Sequence, residues 1–215
     1  MHYTSVLFDL DGTLLDTLGD LTAAMNRTLT RHGLPERTRQ QMRAALGNGA
    51  RRLMELSVPA GTDGALFETL LAEYNADYAA HCRIETAPYP GVDALLRQLH
   101  AQGRKLAIVS NKPDEAVRAL RAEFFADTVP IAVGEKQGIR RKPAPDTLLT
   151  AMAQLGAERA NTVYVGDSEV DIATARAAGL PCISVLWGFR DRDVLEQAGA
   201  QQFAADADEL ARLLD

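Results

Sequence analysis

Cysteine is almost absent from this sequence, with Cys82 and Cys182 as the only two examples in 215 residues. Neither their number nor their spacing is typical of a disulfide framework or of a zinc site. We therefore expect both to be buried thiols. The fold must then be held together by its apolar core, and a chain of this length with 47% hydrophobic residues can form a substantial one.

Lysine is also scarce, with four in the chain and none in residues 17–86. The net charge is −6, and the sequence contains no basic tract. This disfavours non-specific nucleic-acid binding and adsorption to anionic membranes. The sequence also lacks an apolar run of transmembrane length and a start typical of a signal peptide. We predict a cytoplasmic protein with no nucleic-acid or membrane partner, and the pattern does not indicate its oligomeric state.

Two kinds of hydrophobic pattern divide the chain. Residues 17–86 contain only helical patterns, whereas strands alternate with helices after Pro88. Predicted strands cover residues 5–8, 105–109, 128–133, 162–165 and 181–186, and predicted helices between and after the later strands cover 114–124, 146–155, 170–178 and 206–214. Such alternation predicts a parallel sheet covered on both faces. We predict an α/β fold, with a doubly wound, Rossmann-like core of residues 1–16 and 87–215 and a helical domain over 17–86.

An apolar strand, Ser5–Phe8, runs directly into the segment Asp9-Leu10-Asp11-Gly12-Thr13. Successive residues of an extended chain point to opposite sides, so Asp9 and Asp11 can face the same way. Two carboxylates crowded at the end of a buried strand are costly unless a cation or a chemical task compensates them. Taken alone, the Asp-Gly pair is better explained as a surface turn. The case for a site depends on the segments that follow other strands.

Three further polar segments follow predicted strands of the core. Ser110-Asn111-Lys112-Pro113 can donate hydroxyl, amide and main-chain N–H groups to an anion, or can simply cap a helix. Lys142 is followed by Pro143, which favours an extended path that would present its charge to a phosphoryl oxygen; a solvated surface lysine is the ordinary alternative. The segment from Gly166 through Asp167 to Asp171 again places acids after an apolar strand, where N-capping is the alternative. Ligands of such sheets bind at the carboxyl ends of the strands.

Together these segments resemble the haloacid dehalogenase superfamily, in its phosphatase branch. Asp9-x-Asp11-Gly12-Thr13, Ser110-Asn111, Lys142-Pro143 and Gly166-Asp167-x-x-x-Asp171 match its four motifs in order. The resemblance covers the whole chain, and residues 17–86 resemble the cap domain of that superfamily. Gly47-Asn48-Gly49-Ala50, Val109–Pro113 and Gly166-Asp167-Ser168 are similar to signatures of its phosphoglycolate phosphatase-like branch.

The resemblance implies a role for each matching residue. Asp9 would attack phosphorus and become an aspartyl-phosphate, and Asp11 would protonate the leaving group and then activate water. Mg²⁺ would be held by Asp9, by the main-chain carbonyl of Asp11 and by Asp167. Ser110, Asn111 and Lys142 would hold the phosphate, and Asp171 would orient Lys142 or a metal-bound water. The implied substrate is a small phosphorylated metabolite, 2-phosphoglycolate first among the candidates.

Specificity is less well indicated. Asn48, Gly49 and either Arg51 or Arg52 of the expected cap could meet a substrate carboxylate, although such arginines are more often solvated. The segment Trp187-Gly188-Phe189-Arg190 could line the pocket, and packing of Trp187 in the core is an equal alternative. One alternative is a sugar-phosphate mutase of the same superfamily, although the histidines of residues 17–86 are placed unlike the mutase pattern. The other is a non-catalytic binding module, which the complete set of motif residues disfavours.

Overall fold

The computed structural model describes residues 3–215, which divide into two compact units. One unit contains the chain up to Asp16 together with Pro88–Asp215, and the other is Thr17–Ala87. We refer to them as the core unit and the helical unit. The boundary expected from the sequence differs by one residue, since Ala87 groups with the helices. That the helical unit acts as a cap remains a prediction.

The strands are short and most belong to one sheet. In chain order they are β1 (Ser5–Phe8), β2 (Leu15–Asp16), β3 (Ala87–Pro88), β4 (Lys105–Pro113), β5 (Ile131–Glu135), β6 (Thr162–Gly166), β7 (Cys182–Val185) and β8 (Gln202–Ala204). Six of them form a sheet in the order β5-β4-β1-β6-β7-β8, and all its neighbouring strands are parallel. The predicted α/β fold with a Rossmann-like parallel sheet is confirmed.

Ten α-helices and one short 3₁₀ helix (Arg159–Asn161) accompany the strands in residues 3–215. The helices of the helical unit are α1 (Leu18–Arg31), α2 (Arg39–Ala45), α3 (Gly49–Ser57) and α4 (Gly64–His81). Those of the core unit are α5 (Val92–Ala101), α6 (Asp114–Phe124), α7 (Asp146–Leu155), α8 (Glu169–Ala178), α9 (Arg192–Gln197) and α10 (Ala207–Leu214). No helix within residues 3–215 combines the length and the apolar character needed to cross a bilayer.

The sheet is buried on both faces, as its continuous apolar strands require. On one face, Leu7, Ala107 and Tyr164 pack with Leu148 of α7 and Ala175 of α8 in a fully buried cluster. Residues that alternate with these along β1 and β4, among them Val6, Phe8, Leu106 and Ile108, are also completely buried. Because side chains alternate along a strand, they belong to the opposite face. The sheet is therefore a closely packed layer, and the register of its strands sets where their ends lie.

The helical unit is held by buried carboxylates as well as by apolar contacts. Asp77 of α4 is buried and accepts hydrogen bonds from Arg27 and Arg31 of α1, at distances down to 2.6 Å. Near the other end of α1, Asp20 accepts hydrogen bonds from the main chain of residues 84–86 and from the Thr86 hydroxyl. The first contact joins two long helices, and the second fastens the last segment of the unit.

Some elements differ from the sequence-based prediction. β4 continues through Pro113, four residues beyond the predicted end, because the polar residues after Val109 remain extended and buried. Its pairing with β5 is irregular there, between Val109 and Pro113. Helix α9 and strand β8 were not predicted, since both are short and neither carries a clear apolar period.

Candidate active site

The register of the three central strands brings the polar segments to one edge of the sheet. Phe8, the last residue of β1, pairs with Ile108 of β4 on one side and Val165 of β6 on the other. The next residues of all three strands therefore emerge side by side at their carboxyl ends. This is the edge at which parallel α/β sheets bind ligands.

Lys142 is the centre of a buried charged network. Its ammonium lies 2.7 Å from Oδ1 of Asp9 and 2.8 Å from Oδ1 of Asp171. The hydroxyl of Tyr164 accepts a hydrogen bond from Lys142 at 3.0 Å and donates one to Asp171 at 2.9 Å. Ser168 donates to the other oxygen of Asp171 at 2.6 Å. One cation thus serves two carboxylates, so the network carries more negative than positive charge.

Burial and charge set the pKa values of this network. Burial, followed by the negative charge of Asp171, raises the pKa of Asp9 well above its ordinary value, although Lys142 acts in the opposite direction. Burial opposes the charge on Lys142, but Asp171 and Asp9 outweigh it and raise the pKa of Lys142. Burial likewise favours protonated Asp171, yet the charge and hydrogen bond of Lys142 lower its pKa. Lys142 and Asp171 are therefore a charged pair, and Asp9 is left incompletely compensated.

Asn111 fixes the main chain of Lys142. Its side-chain amide donates to the Lys142 carbonyl oxygen at 3.0 Å, and its side-chain oxygen accepts from the Lys142 N–H at 2.8 Å. The lysine therefore enters the site from a fixed point. In this structure the Asn111 side chain positions Lys142, and its expected contact with phosphate remains a prediction.

Asp11 is contacted by two side chains at the end of β4. The Lys112 ammonium lies 3.1 Å from Oδ1 of Asp11, and the Ser110 hydroxyl lies 3.5 Å from Oδ2, which is the limit for a hydrogen bond. The N–H of Lys112 donates to the Ser110 hydroxyl oxygen at 3.1 Å. Asp11 keeps 19% of its side chain exposed while that of Lys112 is 6% exposed. The Asp11 carboxylate is therefore both oriented and accessible.

Asp167 is held by the loop that follows β7. The N–H of Phe189 donates to its Oδ2 at 2.7 Å, and the Thr13 hydroxyl lies 3.4 Å from its Oδ1. Two glycines leave the space that Asp167 occupies. A Cβ on Gly188 would lie 2.3 Å from the Asp167 Cβ, and one on Gly12 would lie 2.3 Å from the Asp167 Oδ2. Any side chain at either glycine would displace this acid.

Asp9, Asp167 and Asp171 form a carboxylate cluster that could hold a metal ion. Each offers one oxygen within 4.8 Å of the others, and all three are buried. Burial, and then the charge of Asp171, raises the pKa of Asp167 to about 7. A divalent cation would relieve this shortage of positive charge, and carboxylate oxygens are the ligands that Mg²⁺ prefers. The residues therefore fit a divalent metal.

The predicted metal ligands and this cluster overlap in Asp9 and Asp167. The cluster also includes Asp171, which we expected to orient other groups rather than to bind the metal, and Asp171 already accepts hydrogen bonds from Lys142, Tyr164 and Ser168. The main-chain carbonyl of Asp11 remains a predicted ligand. That Asp11 binds the metal while Asp171 only orients neighbouring groups therefore stays a prediction.

The segment Trp187–Arg190 fastens the neighbouring loops to one another. The Trp187 indole donates to the main-chain oxygen of Thr13 at 3.0 Å, and its ring packs against Tyr89 with centroids 6.4 Å apart. Arg190 pairs with Glu169 at 2.8 Å. Trp187 is half-buried in this arrangement. Both side chains therefore connect segments that lie next to Asp167 or its neighbours in the chain.

The three candidate specificity residues lie at the start of α3 in the helical unit. Asn48 precedes the helix, and Gly49 begins it with a φ of 78°. Arg51 makes a two-pronged ion pair with Glu68, at 2.8 and 2.9 Å, and its guanidinium lies 5.3 Å from the centroid of Phe67. About half of the Arg51 side chain is exposed. Its expected contact with a substrate remains a prediction.

Three participants were not singled out from the sequence. Lys112 lies inside the Ser110–Pro113 segment, but it contacts Asp11 only in the folded protein. The sequence around Lys112 therefore could not identify this contact. Tyr164 stands in a strand that is otherwise apolar, which was a usable signal, because a buried tyrosine needs a partner for its hydroxyl. Phe189 acts through its main-chain N–H, which no side-chain pattern can reveal.

Comparison with known proteins identifies the family. The model of the family described as haloacid dehalogenase-like hydrolase matches residues 6–185, which is most of the chain. The chain belongs to the haloacid dehalogenase-like hydrolase family. The expected superfamily and the expectation of a hydrolytic enzyme are thereby confirmed.

Several known proteins resemble this chain over most of its length. A phosphoglycolate phosphatase from Xanthomonas campestris pv. campestris is 36% identical over 187 residues, which are 86% of this chain and 84% of that protein. An N-acetylmuramic acid 6-phosphate phosphatase from Pseudomonas aeruginosa is 32% identical, with 88% of this chain and 84% of that protein covered. A crystal structure from Lactobacillus delbrueckii subsp. bulgaricus, provisionally named phosphoglycolate phosphatase, superposes with a TM-score of 0.94 at 36% identity, covering 100% of this chain and 99% of that one.

Proposed function

We propose that this hydrolase is a Mg²⁺-dependent phosphatase that cleaves a small phosphorylated metabolite through an aspartyl-phosphate on Asp9, and that 2-phosphoglycolate is its substrate. The observation that carries the proposal is the Asp9 carboxylate, 2.7 Å from the buried ammonium of Lys142 at the carboxyl edge of the sheet. The Lys142 ammonium beside the Asp9 carboxylate can also hold the phosphoryl group that Asp9 attacks. The relatives named as phosphatases support the same chemistry.

In the proposed reaction an oxygen of Asp9 attacks phosphorus, and the bond between phosphorus and the ester oxygen breaks. The leaving oxygen takes a proton from Asp11, which lies at the same edge and stays partly exposed. Water then attacks the phosphorus of the aspartyl-phosphate while Asp11 accepts its proton. The products are the alcohol and inorganic phosphate, and Asp9 is regenerated.

The phosphoryl group needs positive charge and hydrogen-bond donors as it passes between oxygens. Lys142 can supply charge, because its ammonium already contacts Asp9. Ser110 can supply a hydroxyl, because it lies at the end of β4 beside Asp11. Both groups are buried and held by other residues, so they are organised before the substrate binds.

The metal would be held by Asp9 and Asp167, with the main-chain carbonyl of Asp11 as a further ligand and Asp171 beside them. When bound, Mg²⁺ neutralises the repulsion between these acids and the phosphate and polarises the phosphoryl oxygens. Phe189 and Thr13 contribute by holding Asp167 in place.

The choice of 2-phosphoglycolate rests on the names of several relatives and on the predicted role of Arg51. N-acetylmuramic acid 6-phosphate is a second candidate, because a relative of 32% identity is named for it. Both compounds carry a carboxylate besides the phosphate. An arginine in the helical unit suits either, so the two can be separated only by measurement.

A screen of phosphate esters with purified protein and Mg²⁺ tests the proposal. The substrates are 2-phosphoglycolate, N-acetylmuramic acid 6-phosphate, pyrophosphate, hexose phosphates and p-nitrophenyl phosphate, compared by kcat/KM with phosphate release as the readout. We expect phosphate release from p-nitrophenyl phosphate and the highest kcat/KM for 2-phosphoglycolate. Interconversion of hexose phosphates without phosphate release would establish a mutase, and no turnover of any ester would indicate a binding module.

A further inference from the structure

We propose that Lys112 is a positioning residue for the Asp11 side chain, which it orients so that the protonated carboxyl can transfer its proton to the leaving group. The inference rests on the proposed phosphatase function. It adds a second lysine to the site, because Lys142 belongs to the separate network of Asp9 and Asp171.

The contacts of Asp11 show how it is oriented. The Lys112 ammonium lies 3.1 Å from one carboxylate oxygen, and the Ser110 hydroxyl lies 3.5 Å from the other. Both side chains come from the end of β4, and the N–H of Lys112 also donates to the Ser110 hydroxyl oxygen. A carboxylate contacted on both oxygens from one rigid strand cannot rotate freely. Held in this way, the Asp11 side chain can present one of its oxygens to a reacting group in a fixed direction.

The burial of Lys112 argues against a passive role. Its side chain is 6% exposed, whereas that of Lys136 in the same unit is 35% exposed, and the Lys136 ammonium lies 3.9 Å from the carboxylate of Asp114. Taking an ammonium out of water is expensive unless its partners compensate for the lost hydration. The Lys112 ammonium is nevertheless buried at the edge of the sheet, beside the partly exposed carboxylate of Asp11.

Orientation of Asp11 matters most for poor leaving groups. An alkyl phosphate leaves as a strongly basic alkoxide, so the breaking bond needs the proton of Asp11. A p-nitrophenolate is stable without that proton. During the transfer Lys112 keeps its own protons, and the proton moves from the Asp11 carboxyl to the leaving oxygen. A displacement of about 1 Å in such a group can lower a rate about a hundredfold.

The test compares leaving groups in Lys112→Met, Lys112→Arg and Asp11→Asn. The substrates are 2-phosphoglycolate, glycerol 1-phosphate, which is an alkyl ester without a carboxylate, and p-nitrophenyl phosphate. We use kcat/KM because it reports events up to release of the leaving group. For Lys112→Met we expect a loss on both alkyl esters at least tenfold larger than the loss on p-nitrophenyl phosphate. Lys112→Arg should recover part of it.

A double-mutant cycle links the effect to Asp11. If Lys112 acts through Asp11, the two residues act as a unit. The kcat/KM of Lys112→Met/Asp11→Asn for the alkyl esters should then be no more than about threefold below that of Asp11→Asn alone. Lys136→Met is the matched control, since it removes a lysine that does not contact Asp11. Thermal unfolding of every variant identifies any that fold poorly, and Lys112→Arg keeps the comparison valid if Lys112→Met is among them.

Three outcomes would overturn the inference. One is an equal loss on alkyl and aryl esters, and another is full additivity of the two substitutions. The third is a loss confined to 2-phosphoglycolate, which would make Lys112 a carboxylate-binding residue instead. The absence of activity from the wild-type protein on every ester would instead count against the proposed function, so the two failures are distinguishable.

Discussion

The ammonium of Lys142 lies between two buried carboxylates, 2.7 Å from Asp9 and 2.8 Å from Asp171. This arrangement gives Asp9 a partner but leaves the group of acids short of positive charge. The imbalance suits a site that receives a metal ion and a phosphate ester. It also makes the charge balance of Asp9 and Asp171 dependent on this one lysine.

Removal of Lys142 should therefore cost stability as well as activity. Lys142→Met leaves Asp9 and Asp171 buried without their cation, and the loss of one partner of a buried pair typically costs about 3–5 kcal/mol. We expect a destabilisation of about 3 kcal/mol or more in urea unfolding near neutral pH, together with loss of turnover. Lys136→Met, at a partly exposed lysine, should change stability by less than about 1 kcal/mol. Equal stability of the two variants would contradict the network described above.

Gly188 should control metal binding through Asp167. In Gly188→Ala the new Cβ would lie 2.3 Å from the Cβ of Asp167 and 2.4 Å from the main-chain oxygen of Gly12, so Asp167 must move. We expect the Mg²⁺ concentration for half-maximal activity to rise about tenfold or more, in the range seen for residues that orient metal ligands. Gly64→Ala is the control, because a Cβ there meets open space. An unchanged metal dependence in Gly188→Ala would argue against Asp167 as a ligand.

The helical unit offers a test of pH dependence. Burial of Asp77 favours its protonated form, but the hydrogen bonds and charge of Arg27, together with His81 and Arg31, outweigh burial and lower its pKa. A lowered folded-state pKa contributes stability above the unfolded pKa of about 3.9, and this stability is lost as the pH falls through the folded pKa.

Asp77→Asn should therefore unfold at a lower temperature than the wild type at pH 7, by roughly 2–4 °C for a loss of about 1 kcal/mol. The difference in Tm should shrink as the pH falls below about 4. Calorimetry from pH 7 down to the acid limit of reversible unfolding measures it. A difference that grew on acidification would reverse the expected sign.

Arg51 provides a prediction about substrate choice. A charge-assisted pair with a substrate carboxylate is worth roughly 1.5–3 kcal/mol, so Arg51→Ala should lower kcat/KM for 2-phosphoglycolate by about ten- to a hundredfold. Activity on p-nitrophenyl phosphate, which has no carboxylate, should change little. Arg52→Ala is a matched control, because Arg52 is similarly exposed and pairs with Glu55.

If both substrates lost activity equally in Arg51→Ala, a defect in folding would explain the result better than substrate contact. The ion pair of Arg51 with Glu68 gives an independent check on this alternative. Glu68→Gln removes the same pair but keeps the arginine. It should preserve kcat/KM for 2-phosphoglycolate if the pair itself is unimportant for the reaction.

Most of the fold can be predicted from the sequence, because the apolar runs of the strands and the apolar periods of the helices are clear. The helices over Asp114–Phe124 and Asp146–Leu155 have the predicted bounds. The site is predictable to the extent that the strands are parallel, since their carboxyl ends must share an edge. The contacts of Lys112 and the Phe189 N–H depend on how distant loops meet, and local patterns do not determine them. β4 was predicted too short because polarity indicated a loop where the chain stays extended.

The proposed mechanism depends most on Asp9 as the nucleophile. The direct measurement is a rapid acid quench during turnover of 2-phosphoglycolate or p-nitrophenyl phosphate, followed by peptide mass analysis. We expect a phosphoryl group on Asp9 that hydroxylamine removes, as it does from acyl phosphates, and we expect none in Asp9→Asn, which should also be inactive. A turnover rate in Asp9→Asn close to that of the wild type, or a phosphoryl group on another residue, would contradict the proposed mechanism.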